Sequence, residues 1–292
     1  MSKVIYFNIN YRCNLNCIFC FSNSTSGMGR ELAAKMIFDA LDYVFPKKSD
    51  LIVLNGGEPT LHSSFYSILR TIQINYPSTI IVYTNGTTIN FSEFSRSDKV
   101  IFVIPIHGFQ DLHDSVTRIS GSFQKTFKNL KMLQERECKY RIKFILSRQM
   151  ISSNFCIRDF LTRNNLFPEE VILARLNKTK KSQMNHVVLP LNNELIAYLA
   201  SQVKSLKDDY VIKFLDIPFC FVSISNIDLS TQEIPDFFFC DVDNWIQGRK
   251  YYKELMIGSD CGTCYFKDKC LLMKYSYLTL VLRKNTLRLE GE

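Results

Sequence analysis

Between residues 4 and 176 the chain repeats a strand-length apolar run six times, and most of these runs are separated by a segment with helical periodicity. The runs are Val4–Ile9, Asp50–Leu54, Thr79–Tyr83, Lys99–Ile106, Tyr140–Leu146 and Glu170–Arg175. Among the separating segments, Glu31–Val44 places Leu32, Met36, Ile37, Ala40, Leu41 and Val44 on one face at a spacing of roughly 3.6 residues. Ser64–Asn75 (closed by Pro77), Ser122–Glu135 and Ser153–Asn164 also read as helices. Apolar strands that alternate with amphipathic helices imply a parallel sheet, because each crossover carries a helix and both sheet faces are covered. The crossovers are expected to be right-handed. Six units are too few to close an eight-stranded barrel. The expected fold class is therefore α/β, a partial and splayed (β/α)6 barrel.

The pattern changes after Pro190. Asn192–Leu206 reads as a further helix and Tyr210–Leu215 as a further strand, and from Phe219 onward come short aromatic strands, loops and cysteines. A boundary within residues 205–217 divides a core of residues 1–210 from a small cysteine-rich unit of residues 211–292. Hydrophobic residues make up 46% of the 292, which suffices for a large core, and 11 glycines with 8 prolines argue against disorder. No apolar stretch reaches the ~18 residues of a membrane span. Met1 leads directly into a strand-like run with no signal peptide in view, so a cytoplasmic protein is expected.

The net charge of +8 is that of an ordinary basic surface or of a protein with an anionic partner. The densest basic stretch, Asn177–Ser182, has none of the interleaved aromatics of a single-strand-binding surface, so nucleic acid is not favoured. Ten cysteines in a cytosolic chain point to metal or redox chemistry rather than disulfides. Three lie within Cys13–Cys20 and three within Cys261–Cys270, with Cys138, Cys156, Cys220 and Cys240 between.

Cys13, Cys17 and Cys20 form a C-x3-C-x2-C string directly after the first strand. Thiolates are the usual protein ligands of iron–sulfur clusters. Three in one loop hold three irons of a [4Fe–4S] cube and leave the fourth iron open. Zinc would call for a fourth donor in a closed tetrahedral site, and no further Cys or His lies nearby. The string, with Phe19 before its third cysteine, resembles the signature of the radical S-adenosylmethionine (SAM) superfamily. The resemblance extends over residues 4–176 by motif and element order.

The resemblance implies that the open iron chelates the amino and carboxylate groups of SAM, whose reductive cleavage yields a 5′-deoxyadenosyl radical. A reductant such as flavodoxin or ferredoxin is implied with it. Gly56, Gly57 and Glu58 match the family's GGE motif, which contacts the methionine amino group. Asn85, in Thr84-Asn85-Gly86 at the end of the third strand, matches a region that contacts methionine or ribose. Ser147 and Arg148 end the fifth strand, where the family places polar contacts to ribose or carboxylate. His107 ends the fourth strand and is placed to face a substrate; His113 is read as a structural capping residue.

Cys261, Cys264 and Cys270 form C-x2-C-x5-C and need one distant ligand to close a four-thiolate site, iron–sulfur or zinc. The segment resembles the twitch domain, the shorter relative of the SPASM domain, which implies a second [4Fe–4S] cluster. Cys220 is the preferred fourth ligand and Cys240 the alternative. If Cys240 is spare, it becomes a candidate hydrogen-atom donor or a buried thiol. Twitch and SPASM enzymes modify peptides or small molecules. A crosslinking or epimerising maturase of a ribosomal peptide is the first expectation. A radical dehydrogenase, epimerase or dehydratase acting on a sugar, nucleotide or other small molecule is the second. RNA modification and a non-enzymatic scaffold with a structural cluster stand behind both.

Overall fold

The computed structural model describes residues 3–94, 96–176, 185, 193–215, 217, 236–241, 245–247, 279–283 and 286–289. Six strands fall where the apolar runs put them: β1 (Lys3–Asn8), β2 (Leu51–Asn55), β3 (Thr79–Tyr83), β4 (Val100–Ile106), β5 (Lys139–Leu146) and β6 (Glu170–Arg175). The helices between them are α1 (Ala34–Val44), α2 (Phe65–Asn75), α3 (Gln110–Thr117), α4 (Ser122–Glu135), α5 (Arg148–Ser152) and α6 (Ile157–Arg163). α7 (Asn193–Leu206) then leads to β7 (Ile212–Leu215).

β1 to β7 pair in sequence order, all parallel. β8 (Asp236–Cys240) crosses to the opposite edge and pairs parallel with β1, setting Cys240 beside Phe7. These strands form the partial (β/α)6 barrel with one extra parallel strand at each edge. β9 (Trp245–Gln247) lies antiparallel on β8. β10 (Thr279–Arg283) is antiparallel to β7, and β11 (Thr286–Leu289) to β10. The sheet therefore runs on through residue 211: the strands expected in a separate unit extend the sheet of the core. Cys220, Cys261, Cys264 and Cys270 lie outside the described residues.

Alternation of side chains sorts the strands into two faces. Ile5, Phe7, Leu54, Phe102, Phe144 and Phe214 pack with Ile37, Leu41, Phe65 and Leu130 of the helices. Tyr6, Val53, Ile81, Val103, Ile172 and Leu215 form the opposite face, which is the barrel interior. Along β5 every second residue is buried on the helix side, so Arg141, Lys143 and Ile145 turn to the interior. There Arg141 and Lys213 lie 2.7 and 2.8 Å from the Glu170 carboxylate, and Lys143 sits 5.5 Å over the Tyr83 ring. Lys213 is only 2% exposed, so this ion cluster is desolvated and depends on its pairing.

Two local expectations are corrected. Residues 153–164 are not one helix: α5 ends at Ser152, and Phe155 turns inward between α5 and α6 to meet Phe144 and Phe160. His113 is not a cap. It lies on α3 with 1% exposure, and the capping is done by Asp114. The Asp114 carboxylate accepts from Gly121 N, Phe123 N and Ser122 Oγ at 2.6–2.8 Å, which ties the start of α4 to α3.

Candidate active site

The cysteine loop leaves β1 at the carboxyl end of the sheet, where α/β folds place their sites. Backbone bonds anchor it on both sides. Cys13 N donates to Thr25 O, while Asn16 N and Ile18 N donate to the carbonyls of Thr117 and Val116. These last two carbonyls end α3 and have no partner within the helix, so docking the loop satisfies them. Phe19 is buried against Val116 and Leu176 and meets the His107 ring edge-on at 5.2 Å.

Cys13 is buried, whereas Cys17 and Cys20 are partly exposed. Burial pushes the Cys13 thiol up to about 11, against hydrogen bonds from Leu15 N at 3.4 Å and Asn85 Nδ2 at 3.9 Å. A thiolate there needs a compensating cation. Cys20 Sγ lies 3.5 Å from Ser22 Oγ. Among the described residues no three Cys, His, Asp or Glu side chains converge on a point fit for a single ion. Three thiols on one loop are a donor set suited to a cluster, in which separate irons each take one thiolate.

The Gly-Gly-Glu stretch is built into this loop. A Cβ on Gly56 would lie 2.6 Å from Asn10 Oδ1, and one on Gly57 would lie 2.3 Å from Arg12 O. Gly57 N and Glu58 N donate to the carbonyls of Asn10 and Arg12, and Asn10 Nδ2 donates to Glu58 O. Close approach of two protein backbones already demands both glycines. Glu58 is fully buried. Its Oε1 accepts from Thr60 N, Thr60 Oγ1 and Thr84 Oγ1, and its Oε2 from Asn85 N at 2.7 Å. Burial raises its pKa, while these donors favour the carboxylate. Glu58 is thus a post that joins the ends of β2 and β3 beneath the cysteine loop.

Asn85 links β3 to Cys13 through its amide. Asn14 and Thr87, which the sequence did not single out, complete its hydrogen bonds. An asparagine directly after a cluster cysteine is the one signal that pointed to Asn14. His107 follows β4 at 3% exposure, and its ring lies 5.0 Å from that of His113. Burial, then the charges of His113 and Lys143, hold His107 well below the ordinary imidazole range. Burial lowers His113 to about 4.

Ser147 caps α5 by accepting from Met150 N at 3.2 Å, and Arg148 beside it is exposed. Cys138 is buried before β5, and Cys156 precedes α6. Cys240 is buried in the helix-side core, and burial followed by the Asp241 charge raises its thiol to about 11. It faces away from the barrel interior, onto which the neighbouring Phe239 packs. Asp241, next to it, accepts from Tyr11 Oη at 2.9 Å and ties β8 to the cysteine loop.

Comparison with known proteins agrees with this geometry. Residues 7–146 match the model of the Radical SAM superfamily. Pre-heme d1 synthase of Dinoroseobacter shibae is 24% identical over 150 residues, 50% of this chain and 37% of that protein. The mycofactocin maturase MftC of Mycolicibacterium smegmatis is 26% identical over 49% of this chain and 37% of its own length. Matches to the first curated relatives thus span about two fifths of those proteins. An uncharacterized protein of Methanocaldococcus jannaschii is 25% identical over 82% of this chain and 84% of its own length. Streptococcus suis SuiB bound to precursor peptide SuiA shares the fold with a TM-score of 0.61 at 14% identity, covering 94% of this chain and 70% of that one. The three-cysteine loop, the Gly-Gly-Glu stretch packed under it, and the family-model match identify residues 7–146 as a radical SAM domain.

Proposed function

We propose that the chain is an enzyme that cleaves SAM reductively and abstracts a hydrogen atom from a peptide, as a maturase that crosslinks or epimerises it. The observation that carries the first half is the Cys13–Cys20 loop, a donor set fit for a cluster and locked onto Gly56–Glu58. A [4Fe–4S] cluster held by Cys13, Cys17 and Cys20 supplies the electron that breaks the carbon–sulfur bond of SAM when both are bound. The chain's own residues position and shield. Gly57, partly exposed beside the loop, presents backbone to the methionine end of SAM, and Glu58 holds that backbone in place. Phe19 covers the loop, and the β5 rim at Ser147 and Arg148 offers a hydroxyl and a cation to the ribose or carboxylate. The reductant is a flavodoxin or ferredoxin.

The peptide assignment draws support from a fold neighbour bound to its precursor peptide and from relatives named as peptide maturases. A small-molecule substrate is the second reading, supported by the relatives named as heme-pathway synthases. We further propose a second [4Fe–4S] cluster on Cys220, Cys261, Cys264 and Cys270. The placement of Cys240 in the helix-side core, beside Phe7, supports leaving that residue out of the ligand set. Deuterium transfer tests the substrate class. Reduced enzyme is given a perdeuterated peptide hydrolysate, or separately a perdeuterated tetrapyrrole, and mass spectrometry reads label in 5′-deoxyadenosine. Label from the peptide pool supports the maturase; label from the tetrapyrrole alone overturns it.

A further inference from the structure

We infer that Asn85 is a positioning residue that sets the reduction potential of the cluster held at Cys13. This rests on the reading of Cys13, Cys17 and Cys20 as cluster ligands. The hydrogen-bond accounting of its side chain is closed. Asn85 Nδ2 donates to Asn14 Oδ1 at 2.9 Å and to Cys13 Sγ at 3.9 Å. Asn85 Oδ1 accepts from Thr87 N at 2.9 Å and Thr87 Oγ1 at 2.6 Å. Thr87 Oγ1 in turn accepts from Asn14 Nδ2 at 2.8 Å, which closes a ring of three side chains. The Asn85 backbone is held as firmly, with its N–H on Glu58 Oε2 and its carbonyl on Thr126 Oγ1. The amide cannot turn toward a ligand without breaking this ring, so its free energy is committed to the sulfur side.

Cys13 is also the buried member of the three, so a dipole aimed at its sulfur acts in a poorly screened environment. N–H groups directed at a cluster thiolate favour the state with more negative charge, which is the reduced one. Asn85 therefore makes the cluster easier to reduce.

The test compares anaerobically reconstituted wild type, Asn85→Ala and Asn129→Ala by redox titration of the reduced-cluster EPR signal, without SAM. Asn129 Nδ2 holds the same loop through Gly86 O at 2.7 Å and is not bonded to the sulfur. The expected result is a more negative midpoint for Asn85→Ala and an unchanged one for Asn129→Ala. A midpoint in Asn85→Ala equal to wild type, or an equal shift in both variants, overturns the inference. Should Asn85→Ala hold no iron, Thr87→Ala takes its place: it frees Asn85 Oδ1 while keeping the amide, and must give a smaller shift of the same sign. No shift there overturns the inference. A wild type that binds no iron at Cys13, Cys17 and Cys20 overturns instead the reading on which it rests.

Discussion

Acidification should unfold this protein through His113 in a way that a single substitution can isolate. His113 is 1% exposed, and burial lowers it from 6.5 to about 4. Its folded pKa lies below its unfolded one, so between these values the unfolded chain binds a proton that the folded chain does not. Stability is therefore complete above about pH 6.5 and is lost as the pH falls toward about 4. At about 1.4 kcal/mol per unit the full loss is about 3 kcal/mol, of which about 2 kcal/mol is gone by about pH 5. The replacement His113→Phe keeps a ring against His107 and Phe123 and removes the titrating nitrogen. Urea unfolding of both proteins, followed by circular dichroism at about pH 7.5 and about pH 5, gives the comparison. The wild type should lose about 2 kcal/mol more than the variant over this interval. Burial, which outweighs the His113 charge in lowering His107, is common to both proteins, so most of the His107 contribution is shared. Equal losses would refute the argument, because the buried imidazole would then not be what acid attacks.

Two substitutions probe the packing around the site. Gly57→Ala forces a Cβ to within 2.3 Å of Arg12 O, a backbone atom that cannot swing aside, so the folded protein should retain far less iron after reconstitution than wild type; iron content near the wild-type level would show that the loops do not need this contact. Glu170→Gln leaves Arg141 and the buried Lys213 without their carboxylate and should cost about 3–5 kcal/mol by urea titration, and a change under about 1 kcal/mol would mean the pair is solvated.

The strand positions and the cysteine loop were legible because both are local signals. Short, β-branched apolar runs bounded by turn residues mark buried strands locally, and Cys13, Cys17 and Cys20 carry their spacing with them. What sequence could not show is pairing at a distance. β8 reads as a run of phenylalanines before Cys240, and nothing local says that it docks on β1 across the whole barrel. α3 escaped notice because its eight residues bury only His113, Val116 and Thr117, too few for a visible apolar stripe. Yet α3 supplies the carbonyls that hold Asn16 and Ile18 of the cysteine loop. The packing that surrounds the glycines of the Gly-Gly-Glu stretch was not legible. Their space is taken by Asn10 and Arg12, and the buried Glu58 carboxylate is bonded to Thr60, Thr84 and the Asn85 backbone.

The central claim is best tested by quantifying 5′-deoxyadenosine and methionine from anaerobically reconstituted, dithionite-reduced protein incubated with SAM. The account predicts that both products form in equal amounts and that Cys17→Ala reduces them to the background of protein without iron. Iron-loaded wild type that releases no more 5′-deoxyadenosine than Cys17→Ala would contradict it.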